Sequence, residues 1–262
     1  MDLGDRMKAY EGVAQTRLLN RCPVIVRVDG KAFHSLTRGM GRPFDLHLRA
    51  VMCETAKYLC ARVQGSMVAY IQSDEISLFL NTYLSLDCDA WFDNEVQKQA
   101  SVAASMATVA FNQAMALEAQ NVPEEDREPY LRLGMFDARC FNVPREDVTN
   151  YFVWRQRDAV RNSIQMVAQA NFSHRELQGK SCDELQEMLF RAHGINWAKL
   201  PTALKRGVCV VREAYLKDEA VRHRWVADLE IPEFTQDRHY IERFVDATTE
   251  ARDAQDATHA PR

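Results

Sequence analysis

The chain has 262 residues, of which 47% are hydrophobic and 27% charged, so it can bury a full core as one large domain or one domain plus an extension. Its formal net charge of -4 excludes a global attraction to nucleic acid and leaves any such partner to a local basic patch. Seven cysteines (22, 53, 60, 88, 140, 182 and 209) without a Cys-x-x-Cys pair, and a start at Met1 to Arg6 without the basic-then-apolar order of a leader, suit a reducing, cytoplasmic compartment rather than a disulfide-stapled fold.

Val24 to Val28 reads as a strand that ends at Asp29-Gly30. From Phe44 to about Val63, apolar residues at 48, 51, 52, 56, 59 and 63 recur at three and four, which predicts a helix stopped by Gly65. Cys53 and Cys60 share one face of it and read as small buried hydrophobes. Strands follow at 67–71 and 76–80, joined by Gln72-Ser73-Asp74-Glu75. Ala100 to Leu117 is long, Ala-rich and uncharged, but its Ser101, Ser105, Thr108, Asn112 and Gln113 suit lipid poorly. Its stripe of Ala103, Ala107, Ala110 and Ala114 predicts a helix close against a sheet, with no membrane involved. After an acidic loop, Val122 to Pro129, a fourth strand is predicted over Phe136 to Val143.

The order is β-α-β-β-α-β, the ferredoxin-like α+β arrangement, with an antiparallel sheet and both helices on one face. Beyond Pro144 the pattern turns mainly helical. A helix is predicted from Asp147 to about Ala170, and a second from a Ser181/Glu184 capping box to near Gly194, with a short strand at Val208 to Val211. The expected organisation is a sheet domain over 1–145, a helical extension packed on it over 146–245, and a flexible tail over 246–262.

In this topology the first and third strands are neighbours, so Asp29 meets Asp74 and Glu75 at one sheet edge. Alternation turns Val24, Val26 and Val28 toward the helices and leaves Ile25, Arg27 and Asp29 on an open face. Strict parity pairs Glu75 with Asp29, but a turn breaks parity and Asp74 remains equally open. Mg²⁺ commonly takes one or two carboxylates plus substrate phosphates, so these acids suit phosphoryl transfer. Gly30 admits a close approach, and Lys31 and His34 can reach phosphate oxygens. Each segment has a plainer reading. Asp29-Gly30 and Ser73 to Glu75 are ordinary turn chemistry, and Arg155, Arg157, Arg161 and Lys180 suit a solvated helix face. His174 reads as a surface residue, and Trp154 and Trp197 read as core.

Arg27-Val28-Asp29-Gly30-Lys31-Ala32-Phe33-His34, Gln72-Ser73-Asp74-Glu75 and Tyr151-Phe152-Val153-Trp154-Arg155-Gln156, with Asp158 and Arg161-Asn162-Ser163, together carry a resemblance. It continues through Phe172-Ser173-His174, Gly179-Lys180-Ser181, Gly194-Ile195-Asn196-Trp197 and Lys205-Arg206-Gly207. Over roughly residues 5 to 212 the chain resembles the tRNA-His guanylyltransferase family, and within it the bacterial and archaeal Thg1-like proteins.

The resemblance implies a polymerase-type palm that adds nucleotides in the 3′-to-5′ direction to the 5′ end of tRNA. It implies two Mg²⁺ ions on Asp29 and Asp74, assisted by the Gly30 carbonyl, with Glu75 supporting the acidic site. By the same carry-over, Asp29, Gly30, Lys31, Ala32, Phe33, His34, Ser73 and Asp74 would hold a nucleoside triphosphate, GTP, ATP or another. Arg27, Arg155, Arg161, Asn162, His174, Lys180, Asn196, Lys205 and Arg206 become candidate triphosphate or tRNA contacts. A homotetramer is implied as well. Where eukaryotic members carry His-Ile-Asn-Asn-Leu-Tyr-Asn, this chain has Val160 to Met166, keeping only the first asparagine as Asn162. That departure points from guanylylation of tRNA-His toward template-dependent repair of truncated tRNA 5′ ends. The rivals are a palm-type nucleotide cyclase acting on GTP or ATP, whose Gly-Gly-Asp-Glu-Phe hairpin is absent, and a non-enzymatic RNA-binding module, which expects stacking aromatics on the open sheet face.

Overall fold

The alternating strands assemble into one antiparallel sheet in the computed structural model, which describes residues 1–218 and 220–247. Its strands are β1 (Val24–Gly30), β2 (Ser66–Gln72), β3 (Glu75–Leu80), β4 (Phe136–Asn142), β5 (Val208–Lys217) and β6 (Ala220–Asp228). They lie in the order β4-β1-β3-β2-β5-β6. The helices are α1 (Leu3–Gly12), α2 (Phe33–Leu36), α3 (Leu46–Arg62), α4 (Val96–Glu118), α5 (Val148–Asn171), α6 (His174–Leu177), α7 (Cys182–His193), α8 (Thr202–Arg206) and α9 (His239–Val245).

The first four strands with α3 and α4 reproduce the expected β-α-β-β-α-β order, and β1 and β3 pair antiparallel as central neighbours. Val24, Val26 and Val28 are fully buried under α3 and α4 among Met52, Ala56, Leu59, Ala107 and Phe111. By length and composition Val96–Asn121 could cross a membrane. Here its small-residue stripe, Ala103, Ala107 and Ala110, is buried, and α4 lies close on the sheet as expected. All seven cysteines are free, and burial pushes the Cys53 thiol up to about 11, in keeping with its reading as a core residue.

The other face is not open along its length. Ile25, Val68, Tyr70 and Phe79 are buried beneath Tyr151 and Phe152 of α5, Phe234, and Ile241 of α9. Full burial of each such side chain stabilises by about 1.5–3 kcal/mol relative to exposure. The expectation of an open face fails for Ile25, because strand alternation identifies two faces but not which remote helix covers the second.

The chain beyond Pro144 is mainly helical, as expected, but carries more strand than predicted. The short strand predicted at 208–211 runs on to Lys217 as β5, turns, and returns as β6, which extends the sheet past β2. In contrast, α7 starts at the predicted Ser181/Glu184 capping box and stops at Gly194, whose φ of 67° is left-handed. Of the expected tail, Asp246 pairs with Arg145 at 2.8 Å and Ala247 is buried, so order extends at least that far. Residues 248–262 lie outside the described residues.

Candidate functional site

The acidic edge is built by three chain segments. Asp29 ends β1, and in the β1–β3 register it lies directly opposite Glu75. Ser73 and Asp74 form the two-residue turn from β2 to β3, with Ser73 at a left-handed φ of 49°. Gly30 N donates to Asp74 O at 3.1 Å, fastening that turn onto the end of β1. Asp74 is half-buried, and burial is the main influence raising its carboxyl above the usual range. Hydrogen bonds from its own amide and from Ser73 oppose the rise, while the charges of Asp29 and Glu75 add to it.

The parity question resolves by partner. Glu75 is the cross-strand neighbour of Asp29, but its carboxylate is committed elsewhere. Arg155 of α5 donates to both oxygens, Nε to Oε1 at 2.8 Å and Nη2 to Oε2 at 2.7 Å. Ser77 Oγ donates to Oε1 at 3.2 Å and is itself bonded to the Tyr151 hydroxyl at 2.7 Å. Among the described residues Asp74 makes no such ion pair. Arg155 is only 6% exposed and also donates to Asp158 at 3.0 Å. It therefore braces the acidic edge and is not presented to a phosphate, unlike the contact role suggested by resemblance.

A cavity of about 610 Å³ opens beside the carboxylates, between the loop after β1, the β2–β3 turn and the distal half of α5. Gly30, Ala32, Phe33, His34, Ser73 and Asp74 line it together with Asp45 and Met166, so six of the eight expected nucleotide residues converge there. Asp29 stands at the neighbouring strand end, and Lys31 is exposed. Phe33 also packs inward, with ring centroids 5.3 Å from Phe111 and 5.2 Å from Phe136. Gly30 is required by this packing: a Cβ there would lie 2.4 Å from the Phe33 ring.

A smaller cavity of about 130 Å³ adjoins the first and gathers Ser73, Asn162 and Lys205. The remaining candidates serve local structure. Arg161 pairs with Asp158, and Arg206 pairs with Glu233 while its carbonyl accepts from the Tyr70 hydroxyl at 2.5 Å. Asn196 caps a short turn by accepting from Ala198 N at 3.0 Å, and Lys180 lies 3.7 Å from Glu184. His174 is exposed at the start of α6. None of Arg206, Asn196, Lys180 or His174 lines either cavity. Arg27 points from β1 along the same face as Asp29, opposite Arg139 of β4. Trp154, expected in the core, is half-exposed, and Arg139 was not singled out by the sequence. The available signal was the Asp137/Arg139 alternation on β4, which repeats the Asp29/Arg27 alternation on β1.

Two aspartates at adjoining strand ends fit a metal-binding role. Their like charges converge, and Mg²⁺ needs only one or two protein carboxylates when phosphates complete its shell. Among the described residues no group of three or more His, Cys, Asp or Glu side chains is placed to hold a metal ion.

An antiparallel palm with paired carboxylates beside a nucleotide-sized cavity defines a nucleotidyltransferase of the palm class. A family model described as tRNAHis guanylyltransferase matches residues 4–144. The chain belongs to the tRNA-His guanylyltransferase family. It is 34% identical to the tRNA(His) guanylyltransferase of Debaryomyces hansenii over 203 residues, covering 72% of this chain and 73% of that one. Two solved structures of a bacterial tRNA(His) guanylyltransferase (Thg1)-like protein are each 43% identical. The one in complex with ATP superimposes with a TM-score of 0.84, covering 94% of this chain and 100% of that one; the one with GTP gives 0.79, covering 93% and 99%. The Saccharomyces cerevisiae enzyme, at 21% identity and a TM-score of 0.66, shares the fold.

Proposed function

We propose that this chain is a 3′-to-5′ nucleotidyltransferase acting on the 5′ end of tRNA. The observation that carries the reading is the junction of Asp29 and Asp74 at the mouth of the 610 Å³ cavity, fastened by the Gly30–Asp74 backbone bond. In this reading residues 1–145 supply the palm, and 146–245 brace it through the Arg155–Glu75 pair. Asp29, Asp74 and the Gly30 carbonyl would hold two Mg²⁺ ions, which when bound favour deprotonation of an attacking 3′-hydroxyl and offset charge on the leaving oxygens. Gly30 to His34 and Ser73 would seat the triphosphate, with ATP and GTP as first candidates because similar bacterial structures are described in complex with them. Lys31 and His34 are exposed and free to meet phosphate oxygens. A cytoplasmic homotetramer belongs to the same proposal.

Within the family, we favour template-dependent 5′-end repair. In Val160 to Met166, Ser163 Oγ accepts from Trp197 Nε1 at 2.9 Å and Arg161 pairs with Asp158. The segment thus joins α5 to its neighbours and does not offer the asparagine-rich surface of the eukaryotic members.

The test uses purified protein, Mg²⁺, the four nucleoside triphosphates, and tRNA either intact or lacking its first 5′ nucleotide. Extension of the truncated tRNA, abolished by Asp29→Ala and by Asp74→Ala, is the expected result. A cyclic product from GTP alone, with no tRNA extended, would replace this reading with the cyclase.

A further inference from the structure

Next to the acidic edge lies a basic row whose charges are poorly matched. Arg27 on β1 is directly opposite Arg139 on β4, and both share the sheet face of Asp29 and Asp137. Like charges directly opposite on an antiparallel pair repel and are destabilising. Among the described residues the Arg27 Nε is buried with no hydrogen-bond partner. Arg139 is 51% exposed and bonds Asp137, at 3.2 Å on its own strand. Two guanidinium groups brought face to face on one side of the sheet, one of them half-exposed, make a seat for an anion.

Beside Tyr151, which packs on β4, stands a large aromatic side chain that packing alone does not explain. Trp154 of α5 is 53% exposed, yet it is firmly held. The Arg155 guanidinium carbon lies 4.3 Å from its ring centroid, and Tyr151 meets it edge-on at 5.8 Å. Tyr151 in turn packs on Phe141 of β4 at 5.9 Å, and Arg155 is bound to Glu75, the cross-strand neighbour of Asp29. The indole is therefore anchored to the acidic edge by one side and open to solvent by the rest. Base–aromatic stacking works on such a platform without regard to sequence.

We infer that Arg27, Arg139 and Trp154 form the seat of the RNA 5′ terminus: the two guanidiniums take its terminal phosphate, and the indole stacks on its terminal base. The inference rests on the proposed activity, and it adds Arg139 and Trp154 to the residues that act on RNA. It gives the two ends of the reaction separate places. The triphosphate occupies the cavity on the far side of Ser73-Asp74, and the RNA end approaches over β1 and β4, with the aspartates between them.

The experiment measures binding of end-labelled tRNA lacking its first 5′ nucleotide, prepared with a 5′-phosphate or a 5′-hydroxyl, to the full chain. ATP binding is followed in parallel. Trp154→Ala is expected to weaken binding of both RNAs by about tenfold or more, with partial recovery in Trp154→Phe. Arg139→Ala is expected to weaken only the phosphorylated RNA, erasing the preference for a 5′-phosphate, while ATP affinity stays at the wild-type value. Both side chains are half-exposed, and thermal melting checks that each variant folds. Unchanged RNA affinity in the Trp154 and Arg139 variants would overturn the inference, as would a loss confined to ATP, which would make the row a triphosphate site. Wild-type protein that binds tRNA but extends none would overturn the proposed activity instead and leave this seat standing.

Discussion

Glu75 lies directly opposite Asp29 across β1 and β3, yet both of its oxygens are held by the guanidinium of Arg155, at 2.8 and 2.7 Å. The pair is buried, and removing one member of such a pair leaves an uncompensated charge at a cost of about 3–5 kcal/mol. Arg155→Met should therefore lower unfolding free energy by about that amount, measured by urea denaturation, and should lower activity because Glu75, opposite Asp29, loses its partner. Asp29→Asn should abolish extension while changing stability by less than about 1 kcal/mol, since among the described residues Asp29 lies in no such pair. Equal stability losses in the two variants would remove the distinction drawn between a bracing and a reacting carboxylate.

Asp29 and Asp74 repel one another, and the charge of Asp29 helps raise the Asp74 carboxyl. A cation bound by the folded form alone stabilises it by mass action, about 2.7 kcal/mol at a concentration one hundred times its dissociation constant. Adding Mg²⁺ without nucleotide should raise the melting temperature of the wild-type protein. Asp29→Asn and Asp74→Asn should each remove most of that increase, and chelation should reverse it. A Mg²⁺ effect that survives in both variants would place the ion elsewhere.

Much of this site was legible because it depends on local rules. Hydrophobic period marked α3, α4 and the first four strands, and their order brought Asp29 to the Asp74-Glu75 turn, while the pairing of Glu75 rather than Asp74 with Asp29 is settled only by the β1–β3 register. Features governed by distant packing were hidden. The burial of Arg155 and the roofing of Ile25 depend on where α5 lands on the sheet. Likewise β6 carries Arg222, His223 and Arg224 between apolar residues, a weak strand signal that becomes a strand only through pairing with β5. Trp154 misled for the opposite reason. An aromatic residue within an amphipathic helix suggests core, but Trp154 sits on the flank of α5, exposed while Tyr151, Phe152, Val153 and Arg155 around it are buried.

Gly30 tests how tightly the cavity wall is packed. A methyl group there would sit 2.4 Å from the Phe33 ring, which is hemmed in by Phe111 and Phe136. Overpacking of this kind costs about 1–3 kcal/mol, so Gly30→Ala should lower stability by that amount in urea titrations. Because Phe33, Ala32 and His34 move together, the nucleotide KM should rise as well. Pairing Gly30→Ala with Phe33→Leu should recover part of the lost stability, and failure to recover any would mean the strain lies in the backbone.

Asp45 borders the same cavity, but its oxygens are spent on the protein. Oδ1 accepts from Leu48 N at 2.7 Å as the N-cap of α3, and Oδ2 accepts from Gly41 N at 2.8 Å and from the Tyr130 hydroxyl at 2.5 Å. Losing an N-cap costs about 0.5–2 kcal/mol, and here it also frees the 41–45 loop that forms the cavity rim. Asp45→Ala should consequently raise the KM for ATP and for GTP by similar factors, about tenfold if 1.4 kcal/mol of positioning is lost. Tyr130→Phe, which removes one of the three donors, should do the same more weakly. A loss restricted to GTP would instead show that the Asp45 carboxylate turns toward the base, and discrimination between purines would then begin at this residue.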